Sequence, residues 1–185
     1  MRVIAGRFKG RRLFSPRFAG VRPTSDRLKE TLFNVIGARV EGAAVLDAFA
    51  GSGAIGIEAL SRGAADVTFI EHNPRARALI RRNLAHCGVT SGCAIVGVAL
   101  PDAVRRLERA RFDLIFLDPP YESEGLEPAL DRLAGLVEPS GLLVLEHARR
   151  RPAPESAATL VQVRRVRVGE GAIALYASEA SRDRE

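Results

Sequence analysis

Apolar residues along the chain follow two patterns, continuous runs and helical stripes. Short segments rich in apolar residues predict buried strands, at 45–48, 66–71, 94–98, 114–117 and 141–146. Between the runs, apolar positions three and four residues apart predict helices, near 25–36, 55–60, 74–86, 102–109 and 126–137. This alternation predicts an α/β fold with a doubly wound, mostly parallel sheet.

The two ends of the chain depart from this alternation. Short segments at 2–5 and 11–14, each ending in apolar residues, flank a stretch rich in glycine and basic residues, which predicts a β-hairpin with a basic, flexible loop. Segments 161–168 and 172–177 flank two glycines and predict a second hairpin, which would form an antiparallel edge of the sheet. We therefore expect an N-terminal extension, a core domain and a flexible tail, at 1–20, 21–178 and 179–185.

One predicted strand runs directly into a glycine-rich turn and a helix. Gly51, Gly53 and Gly56 have the G-x-G-x-x-G spacing, and Glu71 follows Gly51 by 20 residues. Glycine lets the backbone approach a ligand closely, and the N–H groups of a helix start favour anionic or acceptor groups. Glu71 would accept the two hydroxyl groups of a ribose. The pattern predicts a nucleoside cofactor, and leaves open whether this is a dinucleotide or S-adenosylmethionine.

A second motif, Asp118-Pro119-Pro120-Tyr121, follows the apolar run at 114–117. Two prolines cannot continue a central strand, so we expect the motif at the carboxyl edge of the sheet, where ligands bind. A nucleobase amine is a poor nucleophile because its lone pair is delocalised. Asp118 and the Pro119 carbonyl can accept its hydrogens, and Tyr121 can stack on the base. The motif resembles that of methyltransferases that act on exocyclic or amide nitrogens.

The basic charge is concentrated at the N-terminus. The net charge is +6, whereas residues 1–30 carry nine basic and two acidic side chains, a net +7. A focused basic patch is typical of a protein that binds a polyanion, so we predict contacts with nucleic acid. Phe8 either stacks on a base there or packs beneath the hairpin. The predicted RNA-binding residues are Arg7, Phe8, Lys9, Arg11 and Arg12.

The motifs occur in an order that resembles one family, the bacterial 16S ribosomal RNA guanine-N2 methyltransferases. They are the N-terminal hairpin, the helix start Arg22-Pro23-Thr24-Ser25-Asp26-Arg27, the turn at 47–53, Phe69-Ile70-Glu71 and the motif at 118–121. The resemblance covers nearly the whole chain. It implies a Rossmann-like fold, S-adenosylmethionine as the methyl donor, no metal, and methylation of the N2 amine of a guanine in 16S rRNA. It also implies a monomer that acts on a small ribosomal subunit or an assembly intermediate.

The resemblance further implies residue roles. Asp118, Pro119, Pro120 and Tyr121 would be catalytic. Cofactor contacts would come from Arg22, Thr24, Asp47, Phe49, Ala50, Gly51, Ser52, Gly53, Glu71, His72, Ala99 and Asp118. Many relatives place Asn or Asp at the position of Ala99 to read the adenine amine. Here a backbone group or Asp102 would take that role, or apolar contacts would hold the adenine.

Other features narrow the class of protein. Cys87 and Cys93 have neither redox-pair nor metal-site spacing, and we find no signal peptide or membrane-spanning run, so we expect a reducing cytoplasm. A nicotinamide-dependent dehydrogenase would leave the motif at 118–121 unexplained. A non-catalytic RNA-binding module would not need an intact glycine turn. A DNA adenine-N6 methyltransferase usually carries a target-recognition domain, for which 185 residues leave little room.

Overall fold

The computed structural model of the chain describes residues 1–16, 25–119 and 126–182, and within them eight strands form one sheet. In chain order the strands are β1 Ala44–Ala48, β2 Asp66–Ile70, β3 Cys93–Val96, β4 Phe112–Leu117, β5 Val137–Ala148, β6 Ser156–Ala157, β7 Leu160–Val168 and β8 Gly171–Ser178. Their order across the sheet is β3-β2-β1-β4-β5-β8-β7-β6. The first five are parallel, and β8, β7 and β6 are antiparallel additions. The predicted Rossmann-like sheet with an antiparallel edge is confirmed.

The helices of the described residues begin and end where local sequence favours it. They are α1 Asp26–Ile36, α2 Ala54–Ser61, α3 Pro74–His86, α4 Leu100–Arg106, α5 Leu126–Ala134 and α6 Glu179–Arg182. Ser25 Oγ accepts the Leu28 N–H at 3.1 Å at the start of α1, and Gly37, with φ of 62°, ends this helix. Asn73 caps α3, where Pro74 takes the first position because no N–H partner is needed there.

Helices cover both faces of the parallel strands. In β1, Val45 packs with α1, α2 and α3, whereas Leu46 packs with α4 and α5. Leu114 and Ile115 of β4 alternate in the same way, because successive side chains of a strand point to opposite faces. Both faces are therefore apolar, as in other covered parallel sheets. Within the part of the chain that the structure describes, no helix is long and apolar enough to cross a membrane.

Residues 1–16 dock on the core. A single antiparallel bridge joins Arg2 to Arg12, and a 3-10 helix, Gly6–Phe8, stands where we predicted a flexible loop. The carboxylate of Glu58, in α2, accepts the backbone N–H groups of residues 4 and 5 at 2.8 and 3.0 Å. Three backbone hydrogen bonds also join the two segments, from the Val3 N–H to the Arg11 carbonyl, from the Gly10 N–H to the Val3 carbonyl and from the Leu13 N–H to the Met1 carbonyl. The predicted hairpin is therefore present as a short antiparallel pairing, and only its loop differs, because a 3-10 helix replaces the flexible segment.

Smaller differences concern the ends of elements. α4 and α5 are shorter than the predicted helices at 102–109 and 126–137. β5 begins at Val137, which pairs with Phe112 of β4. The register of this pairing shifts between Phe112 and Leu114, and the sequence pattern did not predict the shift. β6 lies in a segment for which the sequence predicted no strand. α6 forms one helical turn at the start of the predicted flexible tail, and residues 183–185 lie outside the described residues.

Candidate active site

Three neighbouring strands end in register at the carboxyl edge of the sheet. Ala48, at the end of β1, pairs with Ile70 of β2 on one side and with Leu117 of β4 on the other. The residues that follow these strand ends therefore lie along one edge, and they are Phe49, Glu71 and Asp118. The outer two are separated by two strand spacings, about 10 Å. The chain order reverses between β1 and β4, and ligands bind at such switch points in open α/β sheets.

The turn after β1 has an unusual backbone conformation. Phe49, Gly51 and Gly53 have φ values of 63°, 56° and 76°, in the left-handed region. Glycine adopts this region without a steric cost, whereas a non-glycine residue such as Phe49 pays about 1–3 kcal/mol, a strain found most often at ligand sites. The Gly53 N–H donates to the Ala50 carbonyl at 2.7 Å and closes the turn directly before α2. The glycine turn is thus a rigid, strained loop at the ligand-binding edge.

Gly56 connects this turn to the buried carboxyl group of Asp47. The Gly56 N–H donates to Asp47 Oδ2 at 2.9 Å. A Cβ at Gly56 would lie 2.3 Å from the Phe69 ring, so glycine is what lets α2 pack directly on β2. The pKa of Asp47 is raised to about 7, because burial and, to a smaller extent, the Glu71 charge raise it more than the Gly56 hydrogen bond lowers it. Asp47 therefore changes charge near neutral pH.

Glu71 anchors the glycine turn with its carboxylate. Oε2 accepts the Gly51 N–H at 2.9 Å, and Oε1 accepts the Asn73 N–H at 2.7 Å. The exposed His72 places Nδ1 3.6 Å from Oε1. Because a carboxylate offers about four acceptor positions, these bonds leave capacity for the hydroxyl groups of a ribose. The sequence pointed to Glu71 as a ribose acceptor, and the structure adds its role in fixing the turn.

Asn83 is a site residue that sequence reasoning missed. This fully buried side chain of α3 donates from Nδ2 to the Ser52 carbonyl at 2.9 Å. It also donates to the Phe14 carbonyl at 3.1 Å and accepts the Phe14 N–H at 2.8 Å. Asn83 thereby links the glycine turn to the N-terminal segment. The signal in the sequence was an amide beside Ile80 and Leu84 on the apolar face of α3, because a buried amide needs hydrogen-bond partners.

The remaining predicted site residues have different placements. Asp118 is half-buried directly after β4, and Pro119 is buried. Ala99 is exposed and precedes α4, and Asp102 pairs with Arg105 on the surface of that helix. Four predicted site residues lie outside the described residues, namely Arg22, Thr24, Pro120 and Tyr121.

The predicted RNA-binding residues lie in the docked N-terminal segment. Four of them are exposed cations, Arg7, Lys9, Arg11 and Arg12. Phe8 is only 7% exposed and packs into the core, with the Arg7 guanidinium 4.5 Å from its ring centroid. The prediction that Phe8 contacts RNA is therefore wrong, because its ring is already covered. Arg11 also donates from Nη1 to the His86 carbonyl at 2.9 Å, which fixes it against α3.

Comparison with known proteins identifies the family of this chain. The sequence matches the protein family described as Conserved hypothetical protein 95 over residues 1–177. The chain belongs to this family. It is 34% identical to ribosomal RNA small subunit methyltransferase D of Escherichia coli strain K12, covering 97% of this chain and 91% of that protein. The Haemophilus influenzae protein of the same name is 36% identical, covering 82% and 81%.

A solved structure extends the similarity to the fold. A hypothetical protein of Thermus thermophilus superposes with a TM-score of 0.81 at 31% identity, covering 96% of this chain and 99% of that chain. The curated relatives confirm the resemblance to the bacterial 16S rRNA methyltransferase family that the motifs predicted, and this structure shows that the fold is shared.

Proposed function

We propose that this protein transfers the methyl group of S-adenosylmethionine to the exocyclic N2 amine of a guanine in 16S rRNA. The observation that carries this proposal is the edge of the sheet where three strands end in register. Glu71 lies on one side of β1 and Asp118 on the other, so a ribose acceptor and an amine acceptor flank the glycine turn. The names of the relatives, ribosomal RNA small subunit methyltransferase D, favour rRNA over DNA as the substrate.

S-adenosylmethionine fits the residues around the glycine turn. Gly51 and Gly53 present a backbone without Cβ atoms, and Glu71 is held in place by two backbone N–H groups while it retains acceptor capacity. Asp47 suits the ammonium group of the amino acid moiety, because a nearby cation favours the ionised carboxylate. The bound cofactor supplies a methyl group activated by a sulfonium. Further proposed contacts come from Arg22, Thr24, Phe49, Ala50, Ser52, His72, Ala99 and Asp118.

The chain's own part in the chemistry is to accept the hydrogens of the target amine. The two acceptors are the Asp118 carboxylate and the Pro119 carbonyl. Asp118 is half-buried and Pro119 is buried, and partial exclusion of water strengthens hydrogen bonds to both groups. Their acceptance increases the electron density on the nitrogen. We propose that Tyr121 stacks on the guanine and that Pro120 keeps competing N–H donors away from the acceptors.

The substrate must present an unpaired guanine. An amine within a helix is engaged in pairing, so the base has to be unstacked or flipped out. The exposed cations of the N-terminal segment would hold the surrounding phosphates. We propose a monomer that acts in the reducing cytoplasm on a small ribosomal subunit or an assembly intermediate, since folded rRNA can hold the base exposed.

A methyl-transfer assay tests this function. Small-subunit particles from a strain that lacks the gene are incubated with labelled S-adenosylmethionine, and mass spectrometry of the nucleosides identifies the product. Asp118→Asn should reduce turnover about 100-fold or more, with cofactor affinity within a few-fold by calorimetry. Glu108→Gln changes an exposed acid of the same chain and serves as the matched control. Near-normal transfer by Asp118→Asn would contradict the acceptor role, and a methylated nucleoside other than N2-methylguanosine, or none, would refute the proposed substrate.

A further inference from the structure

A cleft of about 710 Å³ opens between the N-terminal segment and the outer face of α3. Phe14 and Leu13 form one wall, and Arg75, Leu79 and Arg82 of α3 form the other. None of these side chains belongs to the proposed catalytic or cofactor residues or to the cations assigned to RNA above. The cleft therefore has no role in the function described so far.

The cleft combines an aromatic ring with unpaired positive charge. The guanidinium carbon of Arg82 lies 3.6 Å from the Phe14 ring centroid, and the His86 ring meets Phe14 edge-on at 5.3 Å. Arg75 and Arg82 are exposed, and neither pairs with a carboxylate of residues 1–16, 25–119 or 126–182. The cation–π contact orders Arg82 and leaves its N–H groups and its outer side available to a ligand.

We propose that this cleft binds one unpaired nucleotide of the substrate RNA, with its base stacked on the Phe14–Arg82 pair and its phosphate held by Arg75. Unpaired RNA bases stack on aromatic rings and on guanidinium planes, and flanking cations hold the phosphates. The inference rests on the proposed function, because the RNA is the rRNA substrate. The nucleotide is distinct from the guanine that reaches Asp118.

Two contacts connect this cleft to the rest of the protein. Arg11 donates to the carbonyl of His86, the same residue whose ring supports Phe14, so the basic N-terminal surface continues into the cleft. Asn83 binds the Phe14 backbone on one side and the Ser52 carbonyl on the other. The stacking platform is therefore fixed relative to the glycine turn, which would set the distance between the bound nucleotide and the cofactor.

The proposal is tested with two fluorescein-labelled RNAs, a hairpin with an unpaired loop and a fully paired duplex of equal length. Arg82→Ala should raise the Kd for the hairpin about tenfold, the size expected for losing one stacked base. Arg82→Lys should raise it nearly as much, because lysine keeps the charge and loses the plane. Arg81→Ala removes an exposed arginine of the same helix that does not line the cleft and should change the Kd less than about twofold.

The duplex separates stacking from simple attraction of charges. On the duplex, Arg82→Ala and Arg81→Ala should have equal, small effects, because no unstacked base is offered. The proposal is overturned if Arg82→Ala weakens binding of the hairpin and of the duplex by the same factor. It is also overturned if Arg82→Ala and Arg81→Ala have the same Kd for the hairpin. Melting temperature and calorimetry of S-adenosylmethionine binding verify that each variant is folded.

The two levels of inference fail differently. If the cleft does not bind a nucleotide, the unaltered protein still methylates small-subunit particles and Arg82→Ala binds the hairpin with the Kd of the unaltered protein. If the proposed function is wrong, the unaltered protein transfers no methyl group to rRNA. Phe14→Leu gives a second check on the cleft, since it keeps apolar volume for packing and removes the ring, and it should weaken hairpin binding as Arg82→Ala does.

Discussion

Replacing Glu58 with Gln should loosen the N-terminal segment at residues 4 and 5 and destabilise the protein. The Glu58 carboxylate is fully buried and accepts the N–H groups of residues 4 and 5 together with Arg62 Nε at 2.8 Å. Lys29 Nζ, also fully buried, lies 3.8 Å from Glu58 Oε2. Glutamine keeps the shape, removes the charge and turns one acceptor into a donor that faces other donors.

The loss of stability arises from the charge of Lys29, which would remain buried after Glu58 is replaced. Removing one partner of a buried ion pair typically costs about 3–5 kcal/mol, because the other charge stays buried. Burial already lowers the pKa of Lys29, and the Glu58 charge is the largest influence that raises it. We expect the free energy of unfolding to fall by about 3 kcal/mol or more, out of about 5–15 kcal/mol for a domain. Lys29→Met should cost less, since Glu58 would keep its two backbone donors and Arg62.

Urea denaturation followed by circular dichroism measures the free energy of unfolding of Glu58→Gln and of Lys29→Met, provided that the dependence of this free energy on urea concentration has the same slope in both variants. Hydrogen exchange of the amides of Ile4 and Ala5 reports on the local attachment and should accelerate in Glu58→Gln. The reasoning is refuted if Glu58→Gln costs less than about 1 kcal/mol, the range of an ordinary substitution. It is equally refuted if Lys29→Met is the more damaging change.

Three further predictions concern the site and its surroundings. The pKa of Asp47 is raised to about 7 in the folded protein, compared with about 4 in the unfolded chain. The contribution of Asp47 to stability is therefore complete below about pH 4 and is lost as the pH rises through about 7. In urea titrations across this pH range, Asp47→Asn should abolish the loss of stability. Gly56→Ala should lower the free energy of unfolding, measured by thermal denaturation, by about 1–3 kcal/mol, because its Cβ would lie 2.3 Å from the Phe69 ring. Gly135→Ala is the control. Its Cβ would lie 3.5 Å from the nearest atom, so the free energy of unfolding should change by less than about 0.5 kcal/mol. The log–log salt dependence of RNA binding should flatten by up to about 3 units, at roughly 0.7 per phosphate, when Ala replaces four exposed cations, Arg7, Lys9, Arg11 and Arg12. An unchanged slope in fluorescence titrations would direct attention to the arginines at 149–151 and 164–167.

Local pattern in the sequence was sufficient for the central elements. α3 was predicted at both ends, because Asn73 and Pro74 mark its start and apolar spacing runs to His86. The position of Glu71 and Asp118 at one edge followed from the strands that precede them, since the ends of parallel strands meet at the same edge. These features depend on neighbouring residues alone.

Contacts between distant segments were beyond the reach of the sequence. Glu58 reads as an ordinary polar residue of a helix, yet it binds backbone groups 53 and 54 positions earlier. Phe8 among cations suggested base stacking, and only the docking of residues 1–16 shows that its ring is buried. The role of Asn83 depends on two segments that lie 69 and 31 residues away from it in the sequence. Each of these depends on how a flanking segment packs, which no local spacing encodes.

The docked N-terminal segment also constrains the order in which the chain folds during translation. Residues 1–16 are synthesised before their acceptor, Glu58, which follows Ile4 by 54 residues. β1 is paired on its second side later still, when Val45 can pair with Leu114. Contacts so far apart in sequence form slowly. This basic segment is therefore synthesised before the residues that attach it, so it remains an untethered polycation in the nascent chain until α2 has emerged to hold it.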